Sequence, residues 1–205
     1  MVFAWLVSAY YLEACSKPMK FLLSIILLFF SVFAEAQRIP LENQKYDEYF
    51  KEYSSMYMPG RDWRLLKAQC YQESLFDPNA RSYVGAAGLC QFMPATWKET
   101  ETLIKKKGSA YDPELSIMFA AHYMNRMRWF FRNEAFIENR ESLAMASYNA
   151  GAGNILKAKR KCPPTADWKP ILHECLPTVT GKHAKETQTY VSRIWGFFER
   201  LRKIT

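Results

Sequence analysis

The sequence has few of the residues on which metal and nucleotide sites depend. It contains 3 histidines, and no two of its cysteines have the spacing of about two to four residues that structural zinc sites use. Its glycine-rich stretch is not followed by Gly-Lys-Ser or Gly-Lys-Thr and lacks the glycine spacing of a dinucleotide fingerprint, which excludes both kinds of phosphate loop. We therefore predict no metal and no cofactor, and we assign His122, His173 and His183 to the surface or the core.

The chain also lacks internal repeats, charge blocks and long linkers. Its 205 residues are 49% hydrophobic and 23% charged, which excludes collagen, coiled-coil and low-complexity classes and predicts one globular domain. Acidic residues are outnumbered by basic ones, 20 against 28, so the net charge of +8 indicates an anionic partner such as nucleic acid, a membrane surface or a bacterial wall polymer. Because no basic-aromatic nucleic-acid module is present, we expect no nucleic acid partner.

One apolar run, residues 21–33, is 13 residues long, which suits the core of a signal peptide and is too short to cross a bilayer as a helix. Basic residues precede the run, and small alanines follow it as a cleavage pattern. We expect residues 1–18 to be an extension in front of the natural start and 19–36 to be a signal peptide. The mature protein would then be periplasmic or secreted. An uncleaved N-terminal membrane anchor facing the periplasm is the alternative.

Export would permit disulfides among the four cysteines that follow the signal peptide. Four cysteines allow three pairings. We favour Cys162 with Cys175, because these residues flank a proline-rich loop that a disulfide would clip. Cys70 and Cys90 are equally well explained as buried thiols, since free cysteine packs as a small apolar residue.

The remainder of the chain has the signals of a mainly helical fold. Residues 37–59 are assigned to an N-terminal arm. The predicted helices are one capped by Asp62 and stopped by Pro78, one from Pro94, one from Asp112 to about Phe131, one over 141–158 broken at Gly151, and one over 183–203. Residues 82–93 are too rich in glycine for a helix and are predicted to form a small irregular β-hairpin or an irregular loop.

Three clusters carry candidate chemistry. Glu73 lies near the end of a core helix, where burial and the helix dipole would both raise its pKa and suit it to act as a general acid; an ordinary solvated acid is the alternative. The stretch from Gly85 to Pro94 places small residues where a backbone must approach something closely, or it is simply a structural turn. Tyr148 and Asn149 run into a glycine-rich break and could wall a groove or cap the core.

Together these clusters resemble the motifs of the soluble lytic transglycosylase family. The motifs are, in order, Glu73-Ser74, Gly88-Leu89-Cys90-Gln91-Phe92-Met93-Pro94, Tyr148-Asn149-Ala150-Gly151 and Glu186-Thr187-Gln188-Thr189-Tyr190. The resemblance spans about residues 60–200 and implies that 60–205 form a lysozyme-like helical catalytic domain of the goose type. One departure is Cys90, which stands where the family usually has methionine.

The resemblance implies cleavage of the β-1,4 bond between N-acetylmuramic acid and N-acetylglucosamine in peptidoglycan, leaving a 1,6-anhydro end. Glu73 would be the single catalytic acid. The residues implied to bind the glycan strand are Ser82, Gly88, Gln91, Met93, Tyr148, Asn149, Glu186 and Tyr190. Most glycosidases need two carboxylates, whereas here the sugar's acetamido group and primary hydroxyl would replace the second one.

Two alternatives share the groove: a hydrolysing muramidase of the goose-lysozyme kind, and a non-catalytic peptidoglycan-binding assembly protein. We expect a monomer that acts on peptidoglycan glycan strands. Such an enzyme could remodel its own wall, open it for a secretion or conjugation apparatus, or serve a phage. Cell-envelope assembly or lysis machinery is therefore a further candidate partner.

Overall fold

The computed structural model describes residues 40–165 and 167–204, so the predicted extension and signal peptide lie outside the described residues. The mainly α fold that the sequence predicts is confirmed. The α-helices are α1 (Asp47–Tyr57), α2 (Trp63–Ser74), α3 (Pro94–Ile104), α4 (Pro113–Phe130), α5 (Ile137–Ala150), α6 (Ala152–Lys161), α7 (Trp168–Pro170), α8 (Pro177–Thr180) and α9 (Ala184–Lys203). A π-helical turn (Ile171–Cys175) follows α7, and a 3-10 turn (Gly181–His183) precedes α9. In the part of the chain that is described, no helix combines the length and apolarity that a membrane crossing requires.

Side-chain caps explain where two of the predicted helices begin. The Asp62 carboxylate accepts the backbone N–H of Arg64 at 3.0 Å, which starts α2. At α4 the Asp112 carboxylate accepts the N–H groups of Glu114 and Leu115 at 2.9 and 3.2 Å, and a proline occupies the first turn. These signals lie within a few residues of each helix, so the sequence predicts them correctly.

Helix α1 lies within the segment that the sequence analysis assigns to an N-terminal arm. Phe50 is fully buried in the core, and the Tyr53 hydroxyl donates a hydrogen bond to Glu114 at 2.6 Å. The buried Lys67 ammonium donates to Asp47 at 2.6 Å, which ties α1 to α2. No capping signal in the sequence marks the start of α1, because Tyr46, the residue before it, supplies no side-chain cap.

Helix α2 ends at Ser74, four residues before Pro78, which was predicted to stop it. Leu75 and Phe76 adopt left-handed backbone conformations, with φ of 56° and 62°. Phe76 is buried, and its ring packs edge-on against Tyr71 at 5.1 Å between centroids. Burial of an aromatic ring stabilises the tight turn against its backbone strain, and it ends the helix before the proline does.

Of the two structures expected for residues 82–93, the hairpin is wrong and the irregular loop is correct. The described residues contain two isolated bridges, Arg81 with Ala87 and Ala87 with Phe92, and no sheet. Ala87 and Phe92 exchange backbone hydrogen bonds of 3.0 and 2.9 Å around a tight turn that contains Gly88. The segment is therefore an irregular loop, because its turns leave too few extended residues for a ladder.

The remaining helices bring three chain regions to one place. Helix α4 is largely buried and packs against α1 and α5. Gly151, with φ of +84°, separates α5 from α6 at the predicted break. Helix α9 packs against both α2 and α5. The end of α2, the end of α5 and the first half of α9 therefore meet on one side of the domain.

Two disulfides hold the described chain. One joins Cys162, directly after α6, to Cys175 in the π-helical turn. The other joins Cys70 in α2 to Cys90 in the irregular loop, and both of these residues are completely buried. Cys70 and Cys90, which the sequence analysis also explains as buried thiols, are thus bonded to each other.

Candidate active site

The candidate acid and a tyrosine of the last motif meet across two helices. Glu73 lies in the last turn of α2 and is partly exposed, whereas Tyr190 in α9 is buried. The Tyr190 hydroxyl donates a hydrogen bond of 2.5 Å to the Glu73 Oε1 atom. This bond joins residues 117 positions apart in the sequence, so packing of α9 on α2 creates the pair.

Burial dominates the electrostatics of this carboxyl group. Desolvation is the largest effect on the pKa of Glu73, the Tyr190 hydrogen bond opposes it, and the negative charge of Glu186 adds to it; together they raise the pKa from 4.5 to about 8. The carboxyl group is consequently protonated at neutral pH. This is the state that a general acid must have before it donates a proton.

Tyr148 is the second tyrosine near Glu73, after Tyr190. Its hydroxyl donates to the Cys90 carbonyl at 2.7 Å, and its ring packs edge-on against Tyr123 at 5.3 Å. Burial, followed by the nearby Glu73 charge, raises the pKa of Tyr148 and Tyr190 well above the usual tyrosine value. Both phenols therefore keep their protons and serve as hydrogen-bond donors throughout the working pH range.

The irregular loop is braced by its own polar side chains. The Gln91 amide nitrogen donates to the carbonyls of Gly88 and Ala80 at 2.9 and 3.1 Å, and Gln91 itself has a left-handed φ of 50°. The Ser82 hydroxyl accepts the N–H of Ala86 at 2.9 Å. Two residues that the sequence singles out for sugar contacts thus also hold the loop in shape.

Gly88 and Met93 have different surroundings in the same loop. Gly88 is buried, has φ of +78°, and lies so close to another backbone that an added Cβ would be 1.7 Å from the Ala110 carbonyl oxygen. This is the close backbone approach that the glycine-rich stretch predicts. Met93 precedes α3 and is 43% exposed, so its side chain is free to contact a ligand.

The other end of the site contains Asn149 and Glu186. The Thr187 hydroxyl donates to the Asn149 side-chain oxygen at 2.7 Å, which fixes the end of α5 against α9. Asn149 and Glu186 line a cavity of about 400 Å³. The other lining residues are Ala150, Asn154, Val179, Thr180, His183 and Thr187. Nowhere in the described ranges do three or more histidine, cysteine or carboxylate side chains group in a way that could hold a metal ion.

Gln69 lies beside the candidate acid and was not predicted from the sequence. It lies one turn before Glu73 on the same face of α2 and is buried. Burial raises the pKa of Tyr190, and the nearby polar side chain of Gln69 opposes that rise. A polar residue four positions before the acid, on an otherwise apolar helix face, is the signal that could have identified it.

A family model described as the transglycosylase SLT domain matches residues 48–171. The match includes Glu73, the irregular loop and Tyr148, and it ends before α9. The chain is 37% identical over 116 residues to the membrane-bound lytic murein transglycosylase F of Shewanella pealeana. The matched region covers 57% of this chain and 22% of that protein. It is also 29% identical over 185 residues to the membrane-bound lytic murein transglycosylase F 1 of Alkalilimnicola ehrlichii. That matched region covers 83% of this chain and 35% of the relative. The chain therefore spans about a fifth to a third of the length of these relatives.

Solved structures resemble the fold over most of the chain. An inactive variant of the lytic transglycosylase Slt of Pseudomonas aeruginosa, with glutamine in place of a glutamate, has a TM-score of 0.62 at 25% identity, over 76% of this chain and 23% of that one. A 70-kDa soluble lytic transglycosylase in complex with bulgecin A has a TM-score of 0.60 at 25% identity, over 80% of this chain and 25% of that one. The lysozyme-like architecture expected from the sequence is confirmed by these similarities.

Proposed function

Because the chain belongs to the transglycosylase SLT domain family, we propose that it is a peptidoglycan lytic transglycosylase in which Glu73 acts as the single general acid and base. The observation that carries this proposal is the Glu73 carboxyl group, which is protonated, partly exposed and hydrogen-bonded to the Tyr190 hydroxyl at 2.5 Å. The similar Slt variant, inactive with glutamine in place of a glutamate, supports the choice of a glutamate for this role.

The reaction needs one carboxyl group in two protonation states. Glu73 donates its proton to the glycosidic oxygen as the bond to the muramic acid C1 atom breaks, which releases the N-acetylglucosamine hydroxyl. The muramic acid acetamido oxygen bonds to C1 in its place. The Glu73 carboxylate then takes the proton of the C6 hydroxyl, whose oxygen displaces the acetamido oxygen from C1 and closes a 1,6-anhydro ring. Glu73 ends protonated, and no water is consumed.

The surroundings of Glu73 suit both halves of this cycle. Partial burial keeps the carboxyl group protonated for the first step, and the Tyr190 hydroxyl stabilises the carboxylate that the first step leaves behind. The second step is intramolecular, and a held hydroxyl has a high effective concentration, so positioning replaces a second carboxylate. Asp77, the nearest acid in sequence, is exposed and accepts the backbone N–H of Asn79 at 2.8 Å, which engages it in a turn.

The glycan strand would lie across the face formed by the loop, the tyrosines and the cavity. We propose that Ser82, Gln91, Met93, Tyr148 and Asn149 contact its sugars. Glu186 would complete this contact surface at the cavity of about 400 Å³. The basic net charge of +8 favours approach to an anionic wall polymer. Two disulfides suit an oxidising compartment, which supports action in the periplasm or outside the cell.

The products distinguish this reaction from hydrolysis. We expect mass spectrometry of digested sacculi to show muropeptides that are lighter by one water than the fragments a muramidase produces, because the C6 oxygen takes the place of water. Digestion by hen egg-white lysozyme serves as the hydrolytic control. Ordinary reducing ends in the digest would contradict the transglycosylase reaction and favour the muramidase alternative.

The pH dependence of the reaction should follow the Glu73 carboxyl group. Its pKa of about 8 lies above the ordinary 4.5, so the acid form persists through neutral pH, and kcat/KM should be level below about 8 and fall tenfold per pH unit above it. Tyr190→Phe removes a hydrogen bond that favours the carboxylate and should raise the pKa by about one to two units, because hydrogen bonds to charged groups are worth about 1.5–3 kcal/mol.

The matched control for this measurement is Tyr111→Phe, which removes the hydroxyl of an exposed tyrosine and should leave the profile unchanged. The alkaline limb of the Tyr190→Phe profile should move to higher pH, while its maximum rate falls because the carboxylate formed in the first step loses a donor. A limb that stays in place, or that moves to lower pH, would show that another group controls the rate.

A further inference from the structure

The Cys70 and Cys90 disulfide joins the two chain segments that surround the candidate acid. Cys70 is three residues before Glu73 in α2, and Cys90 lies in the irregular loop directly after Leu89. Both cysteines are completely buried, so the bond lies inside the domain.

Three hydrogen bonds converge on the dipeptide formed by Leu89 and Cys90. The Ser74 hydroxyl, beside Glu73, donates to the Leu89 carbonyl at 2.7 Å. The Tyr148 hydroxyl donates to the Cys90 carbonyl at 2.7 Å, and the Cys90 N–H donates to the Ser116 hydroxyl at 3.1 Å. One dipeptide therefore sets the position of α2, α4 and α5 relative to one another at the site.

The loop that carries this dipeptide has little regular structure of its own. Its backbone makes two isolated bridges, and left-handed conformations at Gly88 and Gln91 flank the dipeptide on both sides. The Ser82 and Gln91 hydrogen bonds brace the loop internally, so its position against α2 depends on its contacts with that helix. The disulfide cross-links the middle of the loop to the helix that carries Glu73.

We propose that Cys70 and Cys90 are positioning residues for the reaction. Their disulfide fixes the Leu89 and Cys90 carbonyls. These carbonyls in turn hold the Ser74 and Tyr148 side chains at the correct distance from Glu73. The inference rests on the proposed function. Reaction rates are sensitive to displacements of about 1 Å in the groups around the reacting atoms, which can lower a rate about a hundredfold. Opening the disulfide should therefore reduce kcat while leaving the fold and most of the substrate contacts in place.

The second disulfide provides a matched control. Cys162 and Cys175 enclose a segment with a sequence separation of 13, against 20 for Cys70 and Cys90, so the two bonds restrict the unfolded chain to a similar extent. It joins the end of α6 to the π-helical turn. If a disulfide acted only on stability, removal of either one would lower the melting temperature and leave kcat unchanged at low temperature.

The experiment compares one protein with the Cys70–Cys90 disulfide formed and with the same disulfide reduced to two thiols. The full chain with Cys15→Ala, Cys162→Ala and Cys175→Ala retains Cys70 and Cys90 as its two cysteines. Unfolding and refolding with a water-soluble phosphine yields the reduced form, in which the disulfide becomes two thiols while the phosphine takes an oxygen atom from water and becomes a phosphine oxide. Exchange with oxidised glutathione restores the disulfide and yields reduced glutathione. Mass spectrometry after alkylation counts the thiols, and circular dichroism checks the fold.

We expect the oxidised protein to retain the kcat of the unsubstituted chain on peptidoglycan within about twofold. The reduced form should keep its circular dichroism and a KM within about twofold, lose at least about tenfold in kcat, and recover on reoxidation. A folded reduced protein with unchanged kcat overturns the inference. If the reduced form does not fold, Cys70→Ala with Cys90→Ala in the otherwise unsubstituted chain provides the same comparison, and an unchanged kcat there has the same meaning.

The outcomes also separate this inference from the proposed function. An oxidised protein that releases anhydro fragments, together with an equally active reduced form, overturns the positioning role alone. An oxidised, folded protein that releases no fragments overturns the proposed function and the positioning role together.

Discussion

Glu73→Gln is expected to lower the release of anhydro fragments by about a thousandfold or more. The same carboxyl group donates a proton in the first step and accepts one in the second, and general acid-base catalysis is worth about 10²–10⁴-fold. Glutamine can still accept the Tyr190 hydrogen bond but cannot exchange a proton with the sugar. Fragment release measured by mass spectrometry over time checks this, and surviving wall clearing would show that the acid is another residue.

The same substitution should stabilise the folded protein at neutral pH. The Glu73 pKa rises from 4.5 to about 8 on folding, so above pH 4.5 the unfolded chain ionises while the folded chain must keep the proton. Stability is thus lost as the pH rises from about 4.5 to about 8, and glutamine avoids this loss. We expect a gain of about 3 kcal/mol in the free energy of unfolding at pH 7, which disappears near pH 4.

The matched control is Glu52→Gln on α1, which changes an exposed glutamate in the same way. It should alter neither fragment release nor the pH dependence of unfolding. Denaturant titrations of both variants at the two pH values make the comparison. A Glu73→Gln protein that is equally stabilised at pH 4 and pH 7 would indicate an effect of packing, because that gain could not arise from a shifted pKa.

Gly88→Ala should produce the largest loss of stability among the single substitutions considered. An added Cβ would lie 1.7 Å from the Ala110 carbonyl oxygen, and the obstacle is backbone, which cannot move aside as the end of a flexible side chain could. Overpacking costs about 1–3 kcal/mol or more, and the left-handed φ of +78° adds about 1 kcal/mol. We expect a loss of about 4 kcal/mol in the free energy of unfolding, measured by denaturant titration.

Gly85→Ala separates the two causes. Gly85 has φ of +91°, yet its Cβ would have no neighbour within 4 Å, so this variant should lose about 1 kcal/mol through backbone strain alone. Equal losses in the two variants would mean that the loop relaxes away from Ala110. Since Gly88 directly precedes Leu89, we also expect the folded fraction of Gly88→Ala to show a reduced kcat.

The candidate site was predictable where single residues carry the signal. Glu73 stands out because a carboxyl group near the end of a core helix is removed from water, which disfavours its charged form and raises its pKa. The glycine-rich stretch predicts close backbone approach, and Gly88 makes it. Gln69 was not predicted, since its importance depends on a tyrosine 121 positions later in the chain. Likewise, no local pattern distinguishes Cys70 and Cys90 as bonded residues from two buried thiols.

The sequence by itself determined the helix starts at Asp62, Pro94 and Asp112, the break at Gly151 and the mainly helical class, because caps, prolines and glycines act on the backbone within about one helical turn. The tertiary structure alone decided that α2 ends early over the buried Phe76, that residues 82–93 form a loop without a sheet, and that α1 belongs to the core. It also decided the protonation of Glu73, because desolvation and the Tyr190 hydroxyl act only when segments distant in sequence are packed together.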